Sequence, residues 1–301
     1  MANKDKTHYP VQNNMLSQIA VGSGLGILNI PQGLSGYNRR LYRQNRVYRV
    51  KVDAIGSRMG PVDVFRLRDT FMLQRGYQEA MKAWTESYDA AEGVVKESSR
   101  GRWRDFRIDI RPHATDTVYP FRNLRSNGSS GVSAQPLIID EFATSLAYKP
   151  DGSSMDFGLK SDSNTFDIIA EYNKLGKVQA TPNTATTEAA YEELQSDLND
   201  AQVVNLQVDG NFPPYDADDA HALDVLEYVG TIYINADGSA KSTTGYFDAP
   251  LGAVYVFNGT VPLPTVTGID QGETTFIKTT VQLGDYKGVA AREFVDVKKM
   301  E

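Results

Sequence analysis

The sequence predicts a mainly β fold, a sandwich or barrel of short strands interrupted by one long helix and one shorter helix. Three observations carry this expectation. Segments of period-two alternation recur from residue 47 to residue 295, with Gly-, Asn- and Asp-rich turns between nearly all of them. Only residues 69–98 sustain a long helical period. Strands and helices do not alternate, so no parallel βαβ sheet is expected. The chain has ample material for a core, since 41% of its 301 residues are hydrophobic and 23% are charged.

Taken in order, residues 1–44 lack a sustained period. Polar and Gly-rich pieces alternate with short apolar ones such as Ile27-Leu28-Asn29-Ile30-Pro31, which reads as an extended N-terminal arm ordered by another surface. The sandwich is expected over residues 45–301. In residues 47–54, Tyr48, Val50, Val52 and Ala54 alternate with Val47, Arg49, Lys51 and Asp53, the pattern of a half-buried strand. Residues 56–61 read as a turn and 62–68 as a second strand, with Phe65 and Leu67 on one face. The helix over 69–98 has Asp69 or Thr70 for a cap. Its apolar stripe (Leu73, Tyr77, Ala80, Met81, Trp84, Tyr88, Ala91, Val95) is a packing face for a sheet. Residues 103–111 alternate again, with Phe106, Ile108 and Ile110 inward and Trp103, Asp105, Arg107, Asp109 and Arg111 outward. Short strands are expected at 137–139, 145–148, 155–159 and 166–172, then a helix at 187–199. Further strands follow at 203–208, 226–235, 244–247, 253–257, 275–282 and 289–295.

Charge is unevenly distributed along the chain. Residues 1–125 carry 16 Arg and 5 Lys against 12 acidic residues, a net +9, whereas residues 126–301 carry 10 cations against 26 acids, a net −16. Such a chain can face an anion with one side and solvent or a neighbouring subunit with the other. The alternative is that the acidic half pairs with the basic half inside one domain. The absence of cysteine excludes disulfides and thiolate metal sites. No apolar run approaches the ~20 residues of a membrane-crossing helix. The N-terminal residues are polar with no apolar stretch after them, so no signal peptide is expected.

Motifs for catalysis are absent. The three histidines, His8, His113 and His221, are far apart, and no Gly-x-Ser-x-Gly, Walker A or His-Glu-x-x-His pattern occurs. The expectation is a protein that is not an enzyme and needs no cofactor. Asp216, Asp218 and His221, with Asp209-Gly210-Asn211 nearby, offer oxygen ligands for Ca2+, with a solvated turn as the alternative. Basic residues provide the stronger pattern. Arg39, Arg40, Arg43, Arg46, Arg49 and Lys51 run through the arm into the first strand, and Arg102, Arg104, Arg107 and Arg111 decorate the third. These ten are candidates for phosphate contacts to nucleic acid or for carboxylate contacts at subunit boundaries.

With the strands placed, several segments carry a resemblance. They are Arg75-Gly76-Tyr77 and Trp84 on the helix, Arg102-Trp103-Arg104-Asp105-Phe106-Arg107-Ile108, Phe166-Asp167-Ile168-Ile169-Ala170-Glu171-Tyr172, Asn211-Phe212-Pro213-Pro214-Tyr215, and Gly284-Asp285-Tyr286-Lys287-Gly288-Val289-Ala290-Ala291. Over residues ~40 to 295 the chain resembles the jelly-roll capsid proteins of small circular single-stranded DNA viruses. The resemblance implies an eight-stranded sandwich of two four-stranded sheets and self-assembly into an icosahedral shell. It also implies enclosed DNA and a place in the virion, with an unknown receptor on the host surface. Capsid proteins of that kind often open with a dense Arg/Lys run. Here only Lys4 and Lys6 stand at the start and the basic cluster begins at Arg39, so interior contacts would come from residues 39–49. A double jelly-roll is the alternative architecture. The alternative functions are a glycan- or protein-binding β-sandwich module, fibre- or lectin-like, and an enzyme on a β scaffold.

Overall fold

The computed structural model describes residues 10–19, 25–55, 59–91, 105–126, 132–137, 142–148, 154–160, 162, 164–174, 225–234, 241–257 and 275–295. In chain order the elements are β1 (Asn14–Ile19), β2 (Leu25–Asn29), α1 (Ile30–Asn38), β3 (Arg46–Ile55), β4 (Met59–Leu67) and α2 (Phe71–Ala91). Then come β5 (Thr117–Val118), β6 (Phe121–Ser126), β7 (Val132–Pro136), β8 (Leu146–Tyr148), β9 (Ser154–Gly158), β10 (Thr165–Asp167) and α3 (Ile168–Lys174). Last are β11 (Leu226–Ile234), β12 (Thr243–Pro250), β13 (Ala253–Phe257), β14 (Thr275–Val281), β15 (Leu283–Gly284), β16 (Gly288–Val289) and β17 (Ala291–Glu293). The protein is mainly β, as the alternation predicts.

Two sheets dominate. The first has the order β12-β3-β14-β1-β6-β7, with β17 also paired to β3, and the second β11-β4-β13-β2-β5. Apart from the parallel β2–β5 pair, their ladders are antiparallel. Their inner residues form one core. Met15, Tyr48, Val50, Val52, Ala54, Ile277 and Val281 come from the first sheet, and Leu28, Val62, Val64, Ile232, Val254 and Val256 from the second. Each buried Val, Leu or Ile stabilises this interface by roughly 1.5–3 kcal/mol.

The second sheet is also covered on its other face. Ile27, Leu67, Ala253 and Tyr255 pack there against Leu73, Tyr77, Ala80 and Met81 of α2, Ile168 and Ile169 of α3, and the apolar side chains of residues 106–110. Strand β13 therefore reads as a continuous apolar run, because successive side chains enter two different cores. Helix α2 starts at Thr70, whose Oγ1 accepts from the Leu73 N–H at 3.3 Å, so Thr70 and not Asp69 is the cap. Leu73, Tyr77, Ala80 and Met81 of its stripe are buried as the spacing predicts, Trp84 is partly so, and residues 92–98 of the expected helix lie outside the described residues.

Three expectations are corrected. The extended arm does not hold for the described part of residues 1–44. Strand β1 pairs with β14, β2 pairs with β13, and Met15, Ile27, Leu28, Ile30 and Leu34 are in the two cores. Helix α1 is capped by Asn29, whose side chain accepts from the Gln32 N–H. It passes so close to the first sheet that a Cβ on Gly33 would stand 2.4 Å from Phe121 and 2.6 Å from Met15. Secondly, residues 105–111 alternate but form no ladder. A single bridge joins Asp109 to Gly158, and Arg107 is buried and not outward. Thirdly, the strand expected at 166–172 is the short β10 followed by α3. The Asp167 carboxylate accepts from the Ile169 and Ala170 N–H groups, both at 3.0 Å, and turns the chain into the helix. Residue 137 follows strand β7, and the segments expected at 187–199 and 203–208 lie outside the described residues.

Candidate functional site

Most of the ten basic candidates meet a carboxylate of the same chain. Arg43 lies 3.7 Å from Asp105, Arg46 3.3 Å from Glu293, Arg49 3.7 Å from Asp248 and Lys51 3.3 Å from Asp53. The Arg46 guanidinium also lies 3.9 Å above the Tyr286 ring. Arg39 closes α1 in the left-handed region (φ 51°), and it and Arg40 are exposed. Arg102, Arg104, Asp216, Asp218 and His221 lie outside the described residues, and with them the calcium hypothesis. Among the described residues no cluster of three or more His, Asp or Glu side chains is placed to hold a metal ion. No helix among them is long and apolar enough to cross a membrane.

The strand order explains the pairing. Strands β3 and β4, from the basic part of the chain, lie beside β11, β12 and β17 from the acidic part. Thus Arg46 meets Glu293, Arg49 meets Asp248, Arg66 meets Glu227 at 3.0 Å, and Arg292 meets Asp69 at 2.9 Å. Arg46, Arg49 and Arg66 thus meet acids of the other part of the chain, whereas Arg43, Lys51, Arg107 and Arg111 meet acids of the basic part itself.

Residues 105–111 build a polar cleft. Phe106, Ile108 and Ile110 point into the core under α2, which turns Asp105, Arg107, Asp109 and Arg111 to the opposite side. Arg107 donates to Asp105 at 2.8 Å and to the Ala143 carbonyl at 3.2 Å, with its guanidinium 4.7 Å from the Phe142 ring. Arg111 grips Asp109 bidentately, Nε to Oδ1 at 3.0 Å and Nη2 to Oδ2 at 2.6 Å, and Lys160 approaches the same carboxylate at 3.5 Å. The hydrogen bond from Asp109 raises the Arg111 pKa further. Backbone support comes from the side chain of Gln44, which bonds both the N–H and the carbonyl of Ile108. The Tyr255 hydroxyl donates to the Ile110 carbonyl at 2.7 Å, and burial pushes its pKa well up. The cleft measures about 240 Å³, with Asn29, Gln32, Arg107, Arg111, Phe142 and Asp156 among its walls. Its cations are neutralised in place, so it suits a neutral polar ligand better than a polyanion.

The outer face of the first sheet is different. Register places Asp53, Lys278, Leu16 and Arg122 in one row across β3, β14, β1 and β6, beside Lys51 and Thr280 in the next row. This face is not covered by α2 and α3, which pack on the other sheet. Between Leu16, Ile55, Tyr37, Arg122 and Lys278 is a pocket of about 270 Å³. Sequence reasoning puts Arg49 and Lys51 on this side of β3, where they are. It misses Arg122, which lies outside every predicted strand, and Lys278, whose signal is the Phe276/Lys278/Thr280 alternation within a strand that was predicted. No protein-family model matches the chain, and neither does any curated protein or solved structure.

Proposed function

We propose that this chain is a structural subunit that assembles with copies of itself into a closed shell of the viral-capsid type, with no catalytic role. One observation carries the reading. Number the eight strands β1, β2, β3, β4, β11, β12, β13 and β14 from 1 to 8. They then stand in the orders 1-8-3-6 and 2-7-4-5 in two facing antiparallel sheets. This order supports reading the sandwich as a jelly roll, an architecture shared by many capsid subunits. The fourth and fifth strands are separated by the long insertion that carries α2 and α3. Among the described residues, the remaining strands extend these sheets at an edge (β5, β6, β7), pair with β3 (β17) or form small sheets of two and three strands, which favours one jelly roll over two. Because the fold also serves other functions, the assembly reading stands or falls on behaviour in solution.

In a shell, the insertion-covered sheet and the bare sheet face differ in character, and the bare face with its cations suits an enclosed polyanionic genome. Sedimentation velocity and negative-stain microscopy, across protein concentration and ionic strength, should reveal uniform closed particles whose formation shifts with salt. A monomer at every concentration and salt would overturn the proposal. The polar cleft favours a second reading, a glycan-binding module. Binding on a glycan array by a protein that never assembles would select it.

A further inference from the structure

We propose that Arg122 and Lys278 form a binding site for a phosphate group on the face of the first sheet that α2 and α3 do not cover. Both residues flank Leu16 in one cross-strand row, since Leu16 is opposite Lys278 on β14 and opposite Arg122 on β6. Two strand spacings separate their backbones by about 10 Å. Their long stems can therefore reach toward each other above Leu16, and both line the same 270 Å³ pocket.

Among the described residues this pair takes part in no ion pair with a carboxylate. The other ion pairs of this face join Arg49 to Asp248 and Lys51 to Asp53. Asp53 is the nearest carboxylate in the Lys278 row, and Lys51 already engages it. Among the described residues neither Arg122 nor Lys278 has a carboxylate partner. The Arg122 Nε is moreover buried with no hydrogen-bond partner. A buried guanidinium N–H left unpaired is costly and rare.

The other polar groups of the pocket are committed elsewhere. The Tyr37 hydroxyl donates to the Arg122 main-chain carbonyl, and the Asn14 side-chain Oδ1 accepts from the Thr280 hydroxyl at 2.8 Å. What remains is a guanidinium edge and an ammonium facing one pocket floored by Leu16, Met15 and Ile55. A tetrahedral oxyanion matches this set. Its oxygens can accept from the guanidinium of Arg122 and from the ammonium of Lys278. The apolar floor strengthens each contact by lowering the local dielectric.

The phosphate can be free or part of a phosphodiester chain, and Arg49 and Lys51 on the same face would let a chain continue beyond the pocket. The site rests on the geometry of the subunit and not on the assembly reading, so its failure leaves that reading untouched. The test is calorimetric titration of the full-length protein with inorganic phosphate and, separately, with an oligothymidylate. It is repeated with Arg122→Gln, with Lys278→Met and with Arg49→Gln as the paired-cation control.

Each of the first two substitutions should weaken binding about tenfold or more, and Arg49→Gln should leave inorganic phosphate binding within about twofold. Loss of inorganic phosphate binding alone assigns the site to the free anion. Loss of oligothymidylate binding, with a log–log salt dependence, assigns it to phosphodiesters. Lys278→Met, on an outward strand position, carries the test if Arg122→Gln compromises folding. Absence of binding to both ligands, or affinity unchanged by both Arg122→Gln and Lys278→Met, overturns the proposal.

Discussion

Replacing Gln44 with leucine tests how the polar cleft is held. The Gln44 side chain is fully buried and acts as a two-way clamp on one peptide unit. Its Nε2 donates to the Ile108 carbonyl at 3.0 Å, and its Oε1 accepts from the Ile108 N–H at 2.7 Å. Ile108 is itself 2% exposed, so water cannot replace either bond. Leucine is close in size but offers neither donor nor acceptor, and each orphaned main-chain group costs ~1–3 kcal/mol. Leucine's own burial offsets part of that sum, leaving a net loss of about 2–4 kcal/mol. Against a total stability on the order of 5–15 kcal/mol this is a large fraction. The corresponding fall in melting temperature is roughly 4–16 °C, at about 2–4 °C per kcal/mol.

Thermal unfolding followed by circular dichroism measures that shift. Native-state hydrogen exchange at the Ile108 amide reads the clamp directly, and its protection should drop sharply in the Gln44→Leu protein. Glutamate at the same place keeps an acceptor, loses the donor and buries a charge, so Gln44→Glu should be at least as harmful. A Gln44→Leu protein within about 0.5 kcal/mol of the parent, with Ile108 still protected, would refute the reasoning. Residues 105–111 would then be held by their apolar side chains alone.

Other outcomes follow from the same packing. Gly252 has φ +65°, and a Cβ there would stand 2.3 Å from the Pro31 ring and 3.0 Å from Tyr48; Gly252→Ala should therefore cost more than ~2 kcal/mol in a denaturant titration. Burial holds the Tyr48, Tyr77 and Tyr255 phenols above their ordinary value. The folded state then keeps these protons better than the unfolded one, so their contribution is whole below about pH 10 and is lost as pH rises past it. Tyrosinate absorbance should show one ionisation step that coincides with alkaline unfolding; ionisation of all sixteen tyrosines with the circular dichroism unchanged would contradict this. Asp109, 7% exposed and shared by Arg111 and Lys160, should lose roughly 3–5 kcal/mol as Asp109→Asn, whereas Arg49→Gln, which breaks a half-exposed pair, should change stability by less than ~1 kcal/mol in the same assay.

Where one face of an element meets water and the other the core, its pattern was legible. Strand β3 alternates because Tyr48, Val50, Val52 and Ala54 face the core while Arg49 and Lys51 do not. Helix α2 reads from its stripe for the same reason. Residues 14–38 were not legible, since their apolar runs are short and their order depends on partners far along the chain: Leu16 pairs with Lys278 and Leu28 with Val254. Residues 105–111 mislead for the opposite reason. Both sides of the segment are buried, so its alternation separates an apolar core from an ion-paired one, and its backbone bonds go to Gln44, Ser145 and Phe157 instead of a continuous partner. The sequence left open whether the basic residues are paired within the domain, because a count of charges along a chain contains no information about which strands become neighbours.

The same contrast in patterning bears on how the molecule meets its surroundings. In β13, neighbouring residues Val254 and Tyr255 enter different cores, so this strand of the second sheet is covered on both faces. In β3, Arg49, Lys51 and Asp53 alternate with the buried Tyr48, Val50, Val52 and Ala54, and in β14 the half-buried Lys278 stands between the buried Ile277 and Thr279. Had the insertion between β4 and β11 been able to cover either sheet, that outward set would cost several unpaired charges on burial. It covers the apolar sheet instead. Ion pairs share the other sheet's outer face with the half-buried Leu16, Ile55 and Phe276. Among the described residues Arg122 and Lys278 have no carboxylate partner, so the proposed phosphate site needs no internal ion pair to be displaced.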